Sequence, residues 1–515
     1  MHLYEPHFPY EPPEPFASRF RGDPYHGEVA ATDAALEPLL RPLLDRGAAA
    51  RTVVILTSDH GEALGDHGES THGLFAYEAT LRVPLVVWAP GLFRPHVVRE
   101  PVRHVDLLPT VLDVLSLPVP ADLPGRSLLP LLARRDDGPA RPSYFEALSA
   151  SLNRRWAPLH GLREGRLKYI DLPLPELYDL EADPAETRNL VASRPRELES
   201  LRGRLALLRA EDRGIERVAE SREAVERLRA LGYVSGSAEP KETYTEDDDP
   251  KRLVDIDARL SDMLSLFHAG RVDEAIDVGH DVLRRRPDTD LAHLQLAYLE
   301  RARGNLDGAI AEARRAVELR PTDTESIALL GAYLTEAGRT REAIALLEPW
   351  AKGPDADLDV LTGLGMALAD SGQPEAALAT LVRAREAHPG NAMVLVNIAT
   401  VRLLQGDLVR ARQAFEAALD VDPRAGRAHN GLGVIAARER RLPEAMEHWR
   451  RAVVLNAGDY RTLFNLGSML WGAGRREEAR PYLEAYLRTA PPALEARDIA
   501  RVRAVLAGAP EGPSR

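Results

Sequence analysis

The 515 residues include no cysteine, so disulfides, thiolate metal ligands and a cysteine nucleophile are all excluded within the chain. Lysine is nearly as scarce. Lys168, Lys241, Lys251 and Lys352 are the only four among 66 basic residues, a skew that fits a GC-rich coding sequence. No run of 18 apolar residues exists, so no membrane-spanning helix is expected. The opening Met-His-Leu-Tyr-Glu-Pro-His lacks the basic region and apolar core of a signal peptide. Basic residues are also outnumbered by 79 acidic ones, for a net charge of −13. Nucleic-acid binding, which needs a basic face, is disfavoured.

What is present divides into two kinds of sequence. The chain exceeds the size at which single cores split, so at least two domains are expected. Residues 239–252 are acidic, contain proline and show no apolar period, which reads as a linker. The boundaries expected are a first domain over 1–238, an acidic linker over 239–255, a helical array over 256–492 and a tail over 493–515.

The array repeats every 34 residues. Gly270, Gly304, Gly338, Gly372, Gly406 and Gly474 share one slot, with Arg440 in the remaining place. Alanine follows five residues later in all seven, from Ala275 to Ala479. Pro287, Pro321, Pro389, Pro423 and Pro491 keep the same register, with Asp355 (next to Pro354) and Ala457 in the other two places. Glycine suits a left-handed turn after a helix, alanine lets two helices approach, and proline ends the second helix. Large side chains at Leu347, Leu381, Phe415, Trp449 and Leu483 should fill the inter-helix core. Small residues at Ala297, Gly331, Gly365, Ala399, Gly433 and Gly467 sit on the first helices. Over about 235 residues this pattern resembles the tetratricopeptide (TPR) repeat, about seven copies of it, the first serving as a cap. The resemblance implies an all-α solenoid that binds a protein or peptide on its concave face. Asn397, Asn430 and Asn465 are the candidate contacts there.

The chemistry lies in the first 235 residues. Val53 to Leu56 is a continuous apolar run, as expected of a buried parallel strand, and it ends in Ser58-Asp59-His60-Gly61. Sites in open α/β sheets form at such strand ends. Asp59 offers a hard oxygen and His60 an imidazole nitrogen, and together they can hold a divalent cation. Gly61 is expected to supply the turn that brings both to one side.

Around this motif stand His2-Leu-Tyr-Glu-Pro-His-Phe-Pro-Tyr-Glu-Pro-Pro13, Leu64-Gly-Asp-His-Gly-Glu69, Thr71-His-Gly73, Tyr77-Glu78 and Leu81-Arg-Val-Pro-Leu-Val-Val87. Further on come Val105 to Leu112, Gly125 to Leu129, Leu167-Lys-Tyr-Ile170, Glu176 to Glu186 and Leu228 to Val234. In this order the set resembles the sulfatase family of the alkaline-phosphatase superfamily. The resemblance implies a doubly wound α/β domain with a small C-terminal subdomain. It implies hydrolysis of sulfate or phosphate esters with a divalent metal cation, whether Ca, Mg, Mn or Zn being left open. Carried over, Asp59 and His60 are metal ligands and His7 contacts the transferring group or the leaving oxygen. The family's lysine before Tyr-Glu is absent, and His72 is the candidate for its place, with His2 a lesser one. Asp66 and His67 read as loop-shaping, and the Glu176–Glu186 segment as structural, with Asp183-Pro184 starting a helix.

The family places acidic metal ligands and the nucleophile ahead of the motif that begins here at His2, and neither is recognisable in this sequence. The expectation is therefore an incomplete doubly wound sheet, and a sulfatase-like hydrolase truncated at its N-terminus and fused to a TPR array. As given, the chain is expected to be inactive. The alternative is an inactive sulfatase remnant acting as a TPR scaffold. Partners implied are an ester substrate and a protein or peptide on the array. Members of the family are often exported, but the sequence leaves this chain's location unknown.

Overall fold

The computed structural model describes residues 1–44, 52–135, 141–210, 241–353, 356–490 and 492–507. The Leu228–Val234 motif, Pro354, Asp355, Pro491 and residues 508–515 lie outside the described residues. Two compact units emerge, Met1–Arg259 and Leu260–Arg515.

In the first unit, strands β1 (Val54–Thr57) and β2 (Leu85–Trp88) pair with each other, antiparallel, Ile55 opposite Val87. The apolar run at 53–56 is thus a strand, but neither parallel nor fully buried. Leu56 is 41% exposed and Val86 54%. A two-stranded ribbon has too little neighbouring surface to cover both of its faces.

A second sheet takes the order β3 (Ser143–Ala147), β4 (Leu159–Glu164), β5 (Leu167–Asp171), β6 (Glu176–Asp179), antiparallel throughout. Period-two alternation gives it two distinct faces. Leu162, Tyr169 and Leu177 stand side by side across three strands and pack on Leu198, Leu201 and Leu205 of the helix Pro195–Arg209. The opposite face carries Lys168, Ile170 and Glu176. Phe145 lies over Gly161 there, where a Cβ would sit 2.2 Å from the ring. No helix starts at Asp183-Pro184. Asp183 instead accepts from the Thr187 hydroxyl at 3.0 Å and the Arg188 N–H at 2.8 Å, closing a turn, and the helix begins at Pro195. Within the acidic segment read as a linker, Asp248 and Asp249 are buried, and Asp249 accepts from the Leu174 N–H at 2.8 Å.

The second unit is helical. Among the described residues, fourteen helices from Pro250–His268 to Arg476–Thr489 follow the 34-residue rhythm, and Pro492–Leu506, within the segment read as a tail, comes after them. Each turn glycine named above has φ between 73° and 88°, and Arg440 takes the same left-handed conformation at φ 61°. All seven repeat alanines are fully buried. Large and small slots interlock: Gly331 faces Leu347, Gly365 faces Leu381, Gly433 faces Trp449 and Gly467 faces Leu483, each so close that a Cβ would clash at 2.5–2.7 Å. A further slot recurs at Asp323, Asp357, Asn391 and Asp459, whose side chains cap the helices that follow by accepting backbone N–H groups.

Candidate functional site

The C-terminal end of β1 delivers Asp59 and His60, and a loop from Glu62 to Gly73 returns His72 beside them. The His60 and His72 rings stand 3.9 Å apart between centroids, and His7 meets His72 edge-on at 6.1 Å. Three of the four site residues expected from sequence are therefore grouped around His72. Asp59 lies at the rim, its side chain 64% exposed and its Oδ2 3.8 Å from His60 Nε2. Gly61 acts differently from expectation. Its φ is not left-handed; its N–H donates to the Thr80 carbonyl at 2.8 Å, and a Cβ would sit 2.2 Å from the Ala79 oxygen. Close approach of two chain segments, rather than turn geometry, requires glycine there.

Glu62, which the motif reading does not single out, is central here. Its Oε1 accepts from His72 Nδ1 at 2.9 Å, and its side chain is only 5% exposed. The buried Tyr10 hydroxyl faces the same carboxylate and interacts with it through charge and a side-chain hydrogen bond. Burial, then Glu62, pushes the Tyr10 phenol far up, and the same two causes raise Tyr25. The hydrogen bond to Glu62 raises the His72 imidazole against the opposing effect of burial. At Asp59 burial works upward, but the charge of His60, backbone N–H groups and nearby His2 outweigh it, so its carboxyl is lowered. The spacing of Glu62, two residues after His60, was the available signal.

The loop ahead of the site is pinned by Glu28, which accepts the N–H of His7 at 3.0 Å and of Glu11 at 2.7 Å. The His7 ring stacks on Tyr4, centroids 4.2 Å apart. His67 stacks on Tyr77 at 3.5 Å, and its Nε2 lies 3.1 Å from the Glu186 carbonyl oxygen, a structural placement.

Behind His72, Tyr77 and Glu78 are clamped onto the second sheet. The Tyr77 hydroxyl donates to Glu176 at 2.9 Å, as does that of Tyr178. The Glu78 N–H donates to Glu186 at 2.6 Å. Fully buried Lys168 reaches Glu186 at 2.7 Å and Glu78 at 3.5 Å. The Leu167–Ile170 and Glu176–Glu186 motifs thus form one ionic network that braces the segment carrying His72.

In the array, Asn465 Nδ2 donates to Asn430 Oδ1 at 3.2 Å, both half-buried. Asn397 does not share their exposure. It is buried, 5% exposed, with an unpartnered Oδ1, so its amide is not presented as a surface contact.

Family models match in the same order. Residues 1–117 match the sulfatase model and residues 65–210 that of the N-sulphoglucosamine sulphohydrolase C-terminal region. Tetratricopeptide-repeat models match 264–324, 362–420, 397–460 and 460–492. The chain joins a sulfatase region to a tetratricopeptide-repeat array. The sulfatase region is similar to arylsulfatase K of Gallus gallus, 36% identical over 190 residues that make up 34% of this chain and 35% of that protein. Arylsulfatase K of Danio rerio is 33% identical over 181 residues, 33% of this chain and 34% of that protein. The chain spans about a third of the length of the curated relatives it matches. Among solved structures, the phosphonate monoester hydrolase of Silicibacter pomeroyi is 26% identical, covering 36% of this chain and 40% of its own, with a TM-score of 0.33.

Proposed function

We propose that the sulfatase region holds a divalent cation and takes part in hydrolysing a sulfate or phosphate ester, and that the array docks a protein or peptide. The observation that carries the first part is the meeting of His7, His60 and His72 at the end of β1, with Asp59 at the rim. Oxygen from Asp59 and nitrogen from His60, 3.8 Å apart, are donors one divalent cation accepts. Such a cation would polarise the ester oxygen when bound. His7 and His72 then face the ester, positioned to hydrogen-bond the transferring group or the leaving oxygen. Their settings differ. His7 is anchored through backbone and Tyr4, whereas His72 is held protonated more readily by Glu62. The names of the curated relatives make an aryl sulfate the first substrate to try.

The test is to purify the chain, add Ca²⁺, Mg²⁺, Mn²⁺ or Zn²⁺ separately, and assay an aryl sulfate and an aryl phosphodiester. Metal-dependent multiple turnover that disappears with His7→Ala supports the reading. Turnover that survives Asp59→Ala with unchanged metal dependence refutes the ligand assignment. Absence of turnover with every metal and both esters leaves the array as the working part of the chain.

A further inference from the structure

We propose that His429 and His448 form an acid-sensitive joint inside one repeat of the array. His429 lies on the helix Gly426–Arg438, and His448 on the helix Leu442–Leu455 that returns beside it. Their Nδ1 atoms stand 3.0 Å apart, and both residues are half-buried. At that distance one Nδ1 donates and the other accepts, so the contact holds a single proton. A second proton turns the acceptor into a donor. Two cations then face each other across the helix pair, in a setting whose partial burial strengthens the repulsion.

The other repeats show that packing does not require histidine in these slots. The same two positions hold Ile327 with Leu346, Leu361 with Thr380, Leu395 with Ala414 and Leu463 with Tyr482. None of those pairs carries a group that titrates near neutrality. One further repeat has histidine there, His293, and its Nδ1 meets Glu312 at 2.6 Å. A proton added to that pair meets a carboxylate instead of a second imidazole. Acid therefore opposes the contact in one repeat and not in the other.

The charged groups around the pair do not cancel this. Burial, His448 and Arg451 all lower the His429 imidazole. At His448 burial is the largest influence and lowers the imidazole, as does Arg412, and together they outweigh the upward pull of Glu444, Glu447 and Glu416. Arg412 is itself paired with Glu444 at 3.2 Å and Glu439 at 2.8 Å, which offsets the Glu444 charge. Both imidazoles thus hold a proton less readily in the folded state than in the unfolded chain. Stability from such groups is complete above the unfolded pKa and is lost as pH falls towards the folded one. Asn430 follows His429 and accepts the 3.2 Å bond from Asn465 of the next repeat, so an opened joint disturbs a candidate docking contact. Only that consequence rests on the docking reading above; the joint itself does not.

The experiment takes the full chain and reads amide-exchange protection, peptide by peptide, at about pH 7.5 and about pH 5, scaled for the intrinsic exchange rate. On acidification residues 426–455 are expected to lose about tenfold or more in protection relative to residues 290–319, the repeat of His293 and Glu312. The double variant His429→Ile/His448→Leu copies the Ile327–Leu346 pair and should hold that ratio to within about threefold. A second double variant, His429→Leu/His448→Thr, copies the Leu361–Thr380 pair and serves if the first does not fold. A loss shared equally by both repeats, no loss in either, or a loss in residues 426–455 that persists in a folded double variant overturns the proposal. The comparison of the two repeats uses the unsubstituted chain, so it decides even where both variants fail to fold.

Discussion

Replacing Lys168 by methionine probes the network behind the site. The ammonium is fully buried, 2.7 Å from Glu186 and 3.5 Å from Glu78, and it lies 5.3 Å from the Phe145 ring centroid and 5.9 Å from that of Tyr77. Methionine fills a similar volume, so the packing loss is small, but it leaves the Glu186 and Glu78 carboxylates facing each other with Arg163 as the remaining cation nearby, 3.4 Å from Glu78. Breaking a buried ion pair from one side costs about 3–5 kcal/mol. At about 1.4 kcal/mol per tenfold, amide exchange in β4 and β5 should quicken by roughly two to four orders of magnitude. Hydrogen exchange read peptide by peptide is the suitable assay, because separately unfolding units make a single melting curve ambiguous. The effect should depend on pH. Burial raises the Glu186 carboxyl even against Lys168, so the folded state holds its proton more tightly than the unfolded chain. Stability from such a group is complete below the unfolded pKa and is lost as pH rises through the folded one. Removing the lysine raises the folded value further, so the variant's deficit should shrink on acidification from pH 8 towards 5. The double variant Lys168→Met/Glu186→Gln should recover most of the loss. Exchange less than tenfold faster, or a deficit that ignores pH, would refute the reasoning.

Gly433→Ala should destabilise the array by about 1–3 kcal/mol, because the added Cβ would lie 2.5 Å from the Trp449 indole, and a thermal melt of the array should record it. Residues 256–492 expressed alone should give the circular dichroism of a largely helical protein; a spectrum of strand or disorder would sink that expectation. Burial drives the Glu69 carboxyl up to about 7 from 4.5. Its folded pKa is the higher, so its stabilisation is complete below about pH 4.5 and fades as pH climbs through about 7; Glu69→Gln should flatten that slope in exchange rates of residues 71–78.

How much of this was legible in the sequence depends on whether a residue's partners are periodic. In the array they are. Each glycine in the small slot of a first helix meets its large partner 16 positions later, from Gly331 with Leu347 to Gly467 with Leu483, in a register set by the 34-residue repeat. A repeat read from spacing is thus read with its contacts. Arg440 shows where the rule bends: the turn keeps its left-handed backbone at φ 61° without glycine. The cap slot at Asp323, Asp357, Asn391 and Asp459 was equally periodic and was passed over. Its substitution by Ala425 in one repeat breaks the run, and Asp and Asn are common enough to hide a pattern of four.

The sulfatase region offers no such period, and its partners lie far apart in the chain. His7, His60 and His72 were legible because a motif places each, but the bond from His72 to Glu62 depends on a loop closing, which spacing alone does not encode. The strand at Val54–Thr57 was legible as apolar, while its antiparallel pairing with β2 was not, since an apolar run fits either kind of ladder. The same limit hid the ionic network. Lys168, Glu78 and Glu186 are up to 108 residues apart, and each reads singly as a surface charge. Lysine's rarity was the clue: one of only four in the chain is the one with no exposed surface. From one nitrogen the ammonium reaches Glu186 at 2.7 Å and Glu78 at 3.5 Å between the Phe145 and Tyr77 rings, contacts that a compact point charge makes and that the planar fork of a guanidinium would make differently.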